Sequence, residues 1–239
     1  MNLADNWEAE SGRWIAWARH PGHDSYWRFH RDQFLALLPP PGLRTIDIGC
    51  GEGRLTRHLK ELGHRIVGID ASPTMVAAAR ASDPSMDLRV ADAAALPLQD
   101  ASADLAVAFM TLHDIDAMPR AVAEIARVLM PGGRLCFAIV HPINSAGQFE
   151  RPVADAPFVI KGDYLRPFTF SDTVERAGLT MTFHSRHRPL EAYFAALQDA
   201  GLLVETLREP AVPEHAIESD NSRRWQRLPL FLHVRARRP

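Results

Sequence analysis

Short apolar runs alternate with segments of helical period along residues 43–140, and this alternation limits the possible folds more than any other feature of the chain. The helical segments carry apolar residues on one face, and right-handed crossovers of this kind join parallel strands. The pattern therefore predicts an α/β fold with a doubly wound, mainly parallel sheet. The predicted strands cover 43–48, 65–69, 87–90, 104–109 and 133–140, and the predicted helices cover 54–62, 74–81 and 119–129.

The rest of the chain adds two strands and two covering segments. Residues 190–200 have a helical pattern, and the runs 202–207 and 230–236 follow with no helix between them, which predicts seven strands with the last one antiparallel. Trp7, Trp14 and Trp17 recur at helical spacing and predict an N-terminal helical cap that either packs on the sheet or covers a substrate. The predicted organisation is a cap at 1–40, a ligand-binding core at 41–140, a lid or acceptor-binding insertion without a sustained period at 141–189, and a closing helix with two strands at 190–239.

Composition argues against several classes of function. The 239 residues carry a formal charge of −2, so there is no basic field to hold a nucleic acid. Cys50 and Cys136 are not paired in spacing, so neither a disulfide framework nor a metal site is expected. The N-terminus has no leader pattern and the sequence has no apolar stretch long enough for a membrane span, so we expect a cytoplasmic protein.

A glycine-rich segment joins the first predicted strand to the first predicted helix, and it reads Asp47-Ile48-Gly49-Cys50-Gly51-Glu52-Gly53. Alternating glycines indicate that the backbone passes close to a ligand. A dinucleotide loop needs its third glycine one residue later, where this chain has Arg54. Asp47 would also repel a pyrophosphate, whereas it suits a ligand that carries positive charge.

This segment resembles motif I of the class I S-adenosylmethionine-dependent methyltransferases, and specifically the type-11-like enzymes that act on small molecules. Further motifs follow in the family's order: Gly68-Ile69-Asp70 ends the second strand, Asp92-Ala93 follows the third, and residues 124–135 resemble the segment before the fifth. The resemblance implies that S-adenosylmethionine is the cofactor and S-adenosylhomocysteine its product. It also implies that Asp70 binds the ribose hydroxyls and that Asp92 accepts from the adenine amino group.

Ligands of open α/β sheets bind at the carboxyl ends of the strands, so these motifs should meet in one crevice. The alternative is that Asp70 and Asp92 only cap the turns that follow them. The predicted cofactor-binding residues are Asp47, Gly49, Cys50, Gly51, Gly53, Asp70, Ala71, Met75, Asp92, Ala93 and Met110.

A sulfonium methyl group is already activated, so the protein needs chiefly to align the nucleophile and exclude water. A base is optional, and the catalytic candidates at the ends of the fourth and fifth strands are His113, Asp114 and His141. Each histidine could instead be an ordinary loop residue, and aromatic walls could instead be buried structure. The predicted acceptor-binding residues are Tyr26, Trp27, His113, His141, Phe149, Tyr164 and His184.

The sequence thus predicts methyl transfer to an oxygen or nitrogen atom of a small-molecule acceptor by in-line displacement, in a monomer or homodimer. One alternative is methylation of an RNA nucleoside, for instance in tRNA, using the arginines at 223, 224, 227, 235, 237 and 238. Those arginines could equally form a solvated C-terminal face. Another alternative is a catalytically inactive protein that only binds the donor.

Overall fold

Eleven strands and eight α-helices form the described part of the chain, which in this computed structural model is residues 2–239 without the side chains of residues 220 and 221. The strands are β1 (Thr45–Ile48), β2 (Ile66–Asp70), β3 (Asp87–Val90), β4 (Ala103–Phe109), β5 (Leu129–Val140), β6 (Gly147–Phe149), β7 (Phe158–Ile160), β8 (Phe168–Arg176), β9 (Leu179–His187), β10 (Leu203–Arg208) and β11 (Phe231–Arg237). The helices are α1 (Leu3–Arg19), α2 (Arg31–Leu35), α3 (Arg54–Glu61), α4 (Pro73–Ser82), α5 (Met118–Val128), α6 (Pro142–Ala146), α7 (Leu190–Asp199) and α8 (Asp220–Arg223).

Seven strands form one sheet in the order β10-β11-β5-β4-β1-β2-β3. β11 runs antiparallel to both neighbours, and the other pairings are parallel. The predicted fold is therefore confirmed, including the antiparallel last strand. The crossover at β1 and β4 separates the two halves of the sheet, and ligands of open α/β sheets bind at such a point.

Each face of the sheet is covered by helices, as the periodicity predicts. On one face, Val122 and Ile125 of α5 and Leu197 of α7 pack in a cluster with the buried strand residues. On the other, Phe34 of α2 and Leu59 of α3 pack against a second set of strand side chains. Every residue of β1 is buried, so this strand has no solvent-exposed face, as expected for the centre of a sheet that is covered on both sides.

The segment 141–189 contains α6 and two antiparallel hairpins, β6–β7 and β8–β9, although its sequence has no sustained period. The two residues that turn β8 into β9, Ala177 and Gly178, both have positive φ, as a tight two-residue hairpin turn requires. Most residues of β8 are exposed or half-buried, so its sequence mixes polar and aromatic residues without a clear period.

The predicted N-terminal cap forms α1, which packs against β9. The rings of Trp14 and Phe183 meet edge to face, with centroids 6.1 Å apart, and Trp7 lies against the same phenyl ring at 6.4 Å. Indole Nε1 of Trp7 also donates a hydrogen bond to the carbonyl of His184 at 2.9 Å. Helix α1 and the β8–β9 hairpin thus form one roof over the carboxyl ends of the strands.

Within the described residues, no helix combines the length and apolar character that a bilayer crossing requires.

Replacing Arg238 with alanine should reduce the free energy of unfolding by about 1–2 kcal/mol, because its guanidinium caps the last turn of α5. Nη1 donates to the carbonyls of Ala126 at 2.9 Å and Arg127 at 3.0 Å, and to that of Leu129. The matched control is Arg237→Ala, which removes only a half-exposed ion pair with Glu205 and should cost less than about 0.5 kcal/mol. Equal losses for the two variants in urea denaturation would contradict the capping role.

Candidate active site

A cavity of about 990 Å³ lies between the carboxyl ends of the central strands and the roof formed by α1 and β8–β9. Its floor includes the ends of β1, β2, β4 and β5, and its roof includes Trp7, Trp14 and Phe183. The volume is at the upper end of the range for small-molecule sites, which leaves room for two ligands side by side.

The glycine-rich segment adopts a backbone that other residues rarely take. Gly49, Gly51 and Gly53 have φ angles of +68°, +55° and +83°. A Cβ atom on Gly49 would lie 2.0 Å from Oγ1 of Thr111, and one on Gly53 would lie 2.9 Å from Cβ of Ala79. A Cβ atom on Gly51 would make ordinary van der Waals contacts, 3.6 Å from the sulfur of Met75 and 3.7 Å from Nε1 of Trp14, so there it is the positive φ that favours glycine.

Asp70, the last residue of β2, joins this loop to the start of α4. Its Oδ2 accepts from the backbone N–H of Gly51 and its Oδ1 accepts from that of Ser72, each at 2.8 Å. Burial raises the pKa of Asp70 above its usual value, while these two hydrogen bonds favour the ionised form. A carboxylate has about four acceptor positions, so two remain for a ligand.

Asp47, at the penultimate position of β1, is almost completely buried below the same loop. Its Oδ2 accepts from the hydroxyl of Thr56 at 2.6 Å. Burial raises the pKa of Asp47 to about 7, although the Thr56 hydrogen bond opposes the shift. The neighbouring carboxylate of Asp70 raises it further. A cationic group in the cavity would therefore favour the ionised form of Asp47.

The third aspartate, Asp92, follows β3 and lines the cavity with an exposed side chain. Its Oδ1 accepts from the backbone N–H of Ala94 at 2.9 Å, so Asp92 does cap a turn. Its Oδ2 accepts no hydrogen bond from the described residues. Met110, just after β4, has a φ of +54°, a conformation that is uncommon for a residue with a side chain. This strained position turns the chain towards the cavity at the end of β4.

A polar cluster lies beyond Met110, in the one-turn 3-10 helix Leu112–Asp114. Nδ1 of His113 is buried and lacks a hydrogen-bond partner among the described residues, while Nε2 lies 3.6 Å from Oδ1 of Asp114. That carboxylate oxygen accepts from the hydroxyl of Ser185 in the roof at 2.6 Å. Arg188 donates to the carbonyls of His113, Ile115 and Asp116, which holds the short helix in place.

Burial lowers the pKa of His113 to about 3, and the charge of Arg188 contributes in the same direction. The imidazole is therefore neutral at pH 7. Burial raises the pKa of Asp114 well above its usual value, against the hydrogen bond from Ser185. The cavity thus contains a neutral histidine with a free ring nitrogen beside a carboxyl group of raised pKa.

The structure brings most of the predicted residues to this cavity. His113, Asp114 and Phe149 line it, together with ten of the predicted cofactor residues, namely Asp47, Gly49, Cys50, Gly51, Asp70, Ala71, Met75, Asp92, Ala93 and Met110. Gly53 is not in the wall, and its close approach to Ala79 serves the packing of α3 on α4.

Five predicted residues lie elsewhere. Tyr26 is fully buried behind the sheet, with its hydroxyl 2.7 Å from Nδ1 of His58, and Trp27 covers that histidine from outside. His141 is the N-cap of α6 and its Nε2 lies 2.9 Å from Glu209. None of these three residues lines the cavity, because helical or loop periodicity alone does not tell which face meets a ligand.

Tyr164 and His184 belong to the lid but do not line the cavity. The hydroxyl of Tyr164 accepts from the backbone N–H of Leu190 at 3.1 Å. His184 lies between two cavity-lining residues of β9, Phe183 and Ser185, and so points to the opposite face of the strand. Nδ1 of His184 lies 2.7 Å from the hydroxyl of Ser171 on β8.

Sequence reasoning missed Phe183, Ser185, Arg188 and Arg224 as cavity residues. The alternation of Met181, Phe183 and Ser185 was a usable signal for a strand with one face turned inward.

A seven-stranded sheet of this order, with a glycine-rich segment after the first strand and acidic residues at the strand ends, defines the class I methyltransferase fold. Residues 46–137 match the family described as a methyltransferase domain. The chain is 33% identical to a malonyl-[acyl-carrier protein] O-methyltransferase of Pectobacterium atrosepticum, over 45% of this chain and 43% of that protein. It is 40% identical to an uncharacterized methyltransferase of Mycobacterium bovis, over 41% of this chain and 40% of that one.

The match thus spans less than half the length of these curated relatives. A solved structure of an S-adenosylmethionine-dependent methyltransferase from Mesorhizobium loti superposes with a TM-score of 0.70 at 29% identity, covering 87% of this chain and 96% of that one. Residues 46–137 therefore match a methyltransferase domain, and the chain shares its fold with S-adenosylmethionine-dependent methyltransferases. The cavity-lining backbone at Gly51 and the two unused acceptor positions of Asp70 are compatible with S-adenosylmethionine as a ligand.

Proposed function

We propose that this chain transfers the methyl group of S-adenosylmethionine to an oxygen or nitrogen atom of a small-molecule acceptor. One observation carries the proposal: a single roofed cavity joins the glycine-rich segment and its aspartates to His113, whose buried Nδ1 has no hydrogen-bond partner among the described residues. Donor and acceptor can therefore lie side by side under the roof. This arrangement aligns the nucleophile with the methyl group and excludes water, which are the two needs of methyl transfer by displacement.

The three aspartates would bind different parts of the donor. Asp70 has acceptor positions for the ribose hydroxyls, Asp92 at the end of β3 can accept from the adenine amino group, and Asp47 offers negative charge to the cationic end. The bound donor supplies an activated methyl group. The protein's own residues then need to align the acceptor's lone pair with that methyl carbon.

His113 is the residue best placed to orient the acceptor. Its neutral ring can accept a hydrogen bond from the O–H or N–H of the acceptor through Nδ1, which turns a lone pair towards the donor. As the new bond to carbon forms, the bond from carbon to sulfur breaks and its electrons remain on sulfur. The acceptor atom becomes strongly acidic at that moment, so even a histidine of low pKa can take its proton.

Four of the arginines that suggested a nucleic-acid substrate have other partners. Arg235 and Arg237 pair with Glu205, and Arg227 donates to the carbonyls of Ala154 and Ala156. Arg238 caps α5, as described above. These contacts favour a small acceptor over RNA.

The direct test is transfer of a radiolabelled methyl group from S-adenosylmethionine to an extract of small metabolites, alongside calorimetric titration with the donor and with S-adenosylhomocysteine. We expect both ligands to bind and at least one labelled product of low molecular mass. Binding without any labelled product would favour the inactive donor-binding alternative, and label only in tRNA would favour the RNA alternative.

Lowering the pH from about 7 to about 5.5 should weaken the binding of S-adenosylmethionine. Asp47 has a pKa of about 7 in the folded protein, so it gains a proton over this interval and no longer attracts the donor's positive charge. A ligand that requires the ionised form loses at most about tenfold in affinity per pH unit. Calorimetric titration across this interval measures the slope.

The control for this pH profile is Asp47→Asn, which should bind the donor more weakly and with a smaller pH dependence. Asp70 also has a raised pKa and contributes to the slope in both proteins, so the difference between the profiles reports Asp47. Parallel profiles for the two proteins would contradict the assignment.

A further inference from the structure

One part of the cavity lies away from the glycine-rich segment and is lined by aromatic side chains and one arginine. We call it the aromatic arm, and it is lined by Phe149, Phe158, Arg224 and Trp225. The ring of Phe149 meets those of Phe158 and Trp225 edge to face, with centroids 5.0 and 4.9 Å away. The arm is thus a rigid apolar wall that contains one cation.

Arg224 is held by these aromatic rings. Its guanidinium carbon lies 4.7 Å from the centroid of Phe149 and 5.5 Å from that of Trp225. Its Nε is buried without a hydrogen-bond partner among the described residues. Burial lowers the pKa of Arg224, yet an arginine stays charged at neutral pH. A partly desolvated guanidinium that lines the cavity is well suited to bind an anion.

The other arginines of the cavity are already engaged. Arg54 pairs with Asp24, Arg186 lies 3.7 Å from Asp116, and Arg188 donates to three backbone carbonyls. Among the described side chains, Arg224 has no ion-pair partner, so it differs from them in being available to a ligand.

The position of the arm indicates which end of the acceptor it meets. Phe149 follows β5 and α6, and Arg224 precedes β11, so the arm lies at the β5–β11 side of the sheet. Asp70 ends β2, and the order β11-β5-β4-β1-β2 places four strand spacings, roughly 19 Å, between β11 and β2. His113 follows β4, between the two. If the nucleophilic atom of an acceptor contacts His113, the opposite end of that acceptor would lie in the aromatic arm.

We propose that the acceptor is a planar apolar molecule with a carboxylate, which Arg224 binds while a separate hydroxyl or amine contacts His113. This inference rests on the proposed function. One guanidinium suits a singly charged carboxylate, which it can bind through two parallel hydrogen bonds. A doubly charged phosphate is less favoured, because the remainder of the cavity contains several aspartates and no second unpaired cation among the described residues.

The test measures binding of small acids to the protein saturated with S-adenosylhomocysteine, and it needs no turnover. The probes are benzoate, phenylacetate and 4-hydroxycinnamate, each compared with its neutral amide by calorimetry or ligand-observed NMR. At least one acid should bind about tenfold or more tightly than its amide, as expected for a charge-assisted pair. Arg224→Gln should remove this preference and leave amide binding unchanged, whereas Arg224→Lys should retain part of it.

The matched control is Arg223→Gln, which changes the neighbouring exposed arginine that lies 4.0 Å from Glu214. It should bind acids like the unmodified protein. The proposal is overturned if no acid in the series binds more tightly than its amide, or if Arg224→Gln keeps the preference. Binding of S-adenosylhomocysteine is measured separately, so a failure of the proposed donor site is distinguishable from a failure of the arm.

Discussion

Replacing Asp70 with asparagine should weaken the binding of S-adenosylmethionine by about a hundredfold or more. Both carboxylate oxygens of Asp70 already accept backbone N–H groups, from Gly51 and Ser72. Asparagine has one acceptor oxygen, so its amide group would face one of these N–H donors and displace it. The ribose hydroxyls would also lose a charged acceptor, and each such hydrogen bond contributes about 1.5–3 kcal/mol.

Calorimetric titration with the donor and with S-adenosylhomocysteine measures this effect. The control is Asp87→Asn, at the start of β3, where the aspartate is exposed and pairs with Arg89 at 3.0 Å. We expect its donor affinity to stay within about twofold of the unmodified protein, since surface pairs contribute little. Equal affinities for Asp70→Asn and the control would show that Asp70 only supports the turn.

Replacing His113 with alanine should reduce the rate of methyl transfer by about a hundredfold or more, while the donor still binds normally. The expected size is that of a group that orients the nucleophile and receives its proton. His113→Asn should recover part of the rate, because an amide oxygen can also accept a hydrogen bond. The assay uses the acceptor found in the metabolite screen and separates kcat from KM.

The control for this variant is His184→Ala, which removes an imidazole on the outer face of β9. Its rate should be unchanged. A purely structural role for His113 would lower the melting temperature and the donor affinity together with the rate, and Asn would then give no recovery of kcat alone. Unchanged turnover in His113→Ala would exclude the residue from the mechanism.

Much of the core could be predicted from the sequence because local patterns there agree with the fold. The apolar strands are buried on both faces, and Ser72 accepts from the backbone N–H of Met75 as the N-cap of α4, with Pro73 in the first turn. The glycine loop could be located because its conformation excludes side chains at Gly49 and Gly53. These features depend on residues close together in the chain.

The acceptor side could not be predicted in the same way, since it depends on contacts between distant segments. Ser185 meets Asp114, and Arg188 reaches the carbonyls beside His113, across more than seventy residues of chain. Nothing in the local sequence of Tyr26 tells that its ring turns behind the sheet towards Phe109. The sequence shows Arg224 as part of a basic pair, but it does not indicate that the guanidinium packs against the rings of Phe149 and Trp225.

The roof over the cavity has a consequence for the timing of a catalytic cycle. Glu8 of α1 accepts hydrogen bonds from the hydroxyls of Ser72 and Thr74 beside the glycine-rich segment, and the ring of Phe183 ties α1 to the β8–β9 hairpin. Helix α1 and the β8–β9 hairpin would therefore move as one unit when the roof opens. Spent donor and methylated product would then leave through one shared opening, and the frequency of that opening would set the pace of turnover.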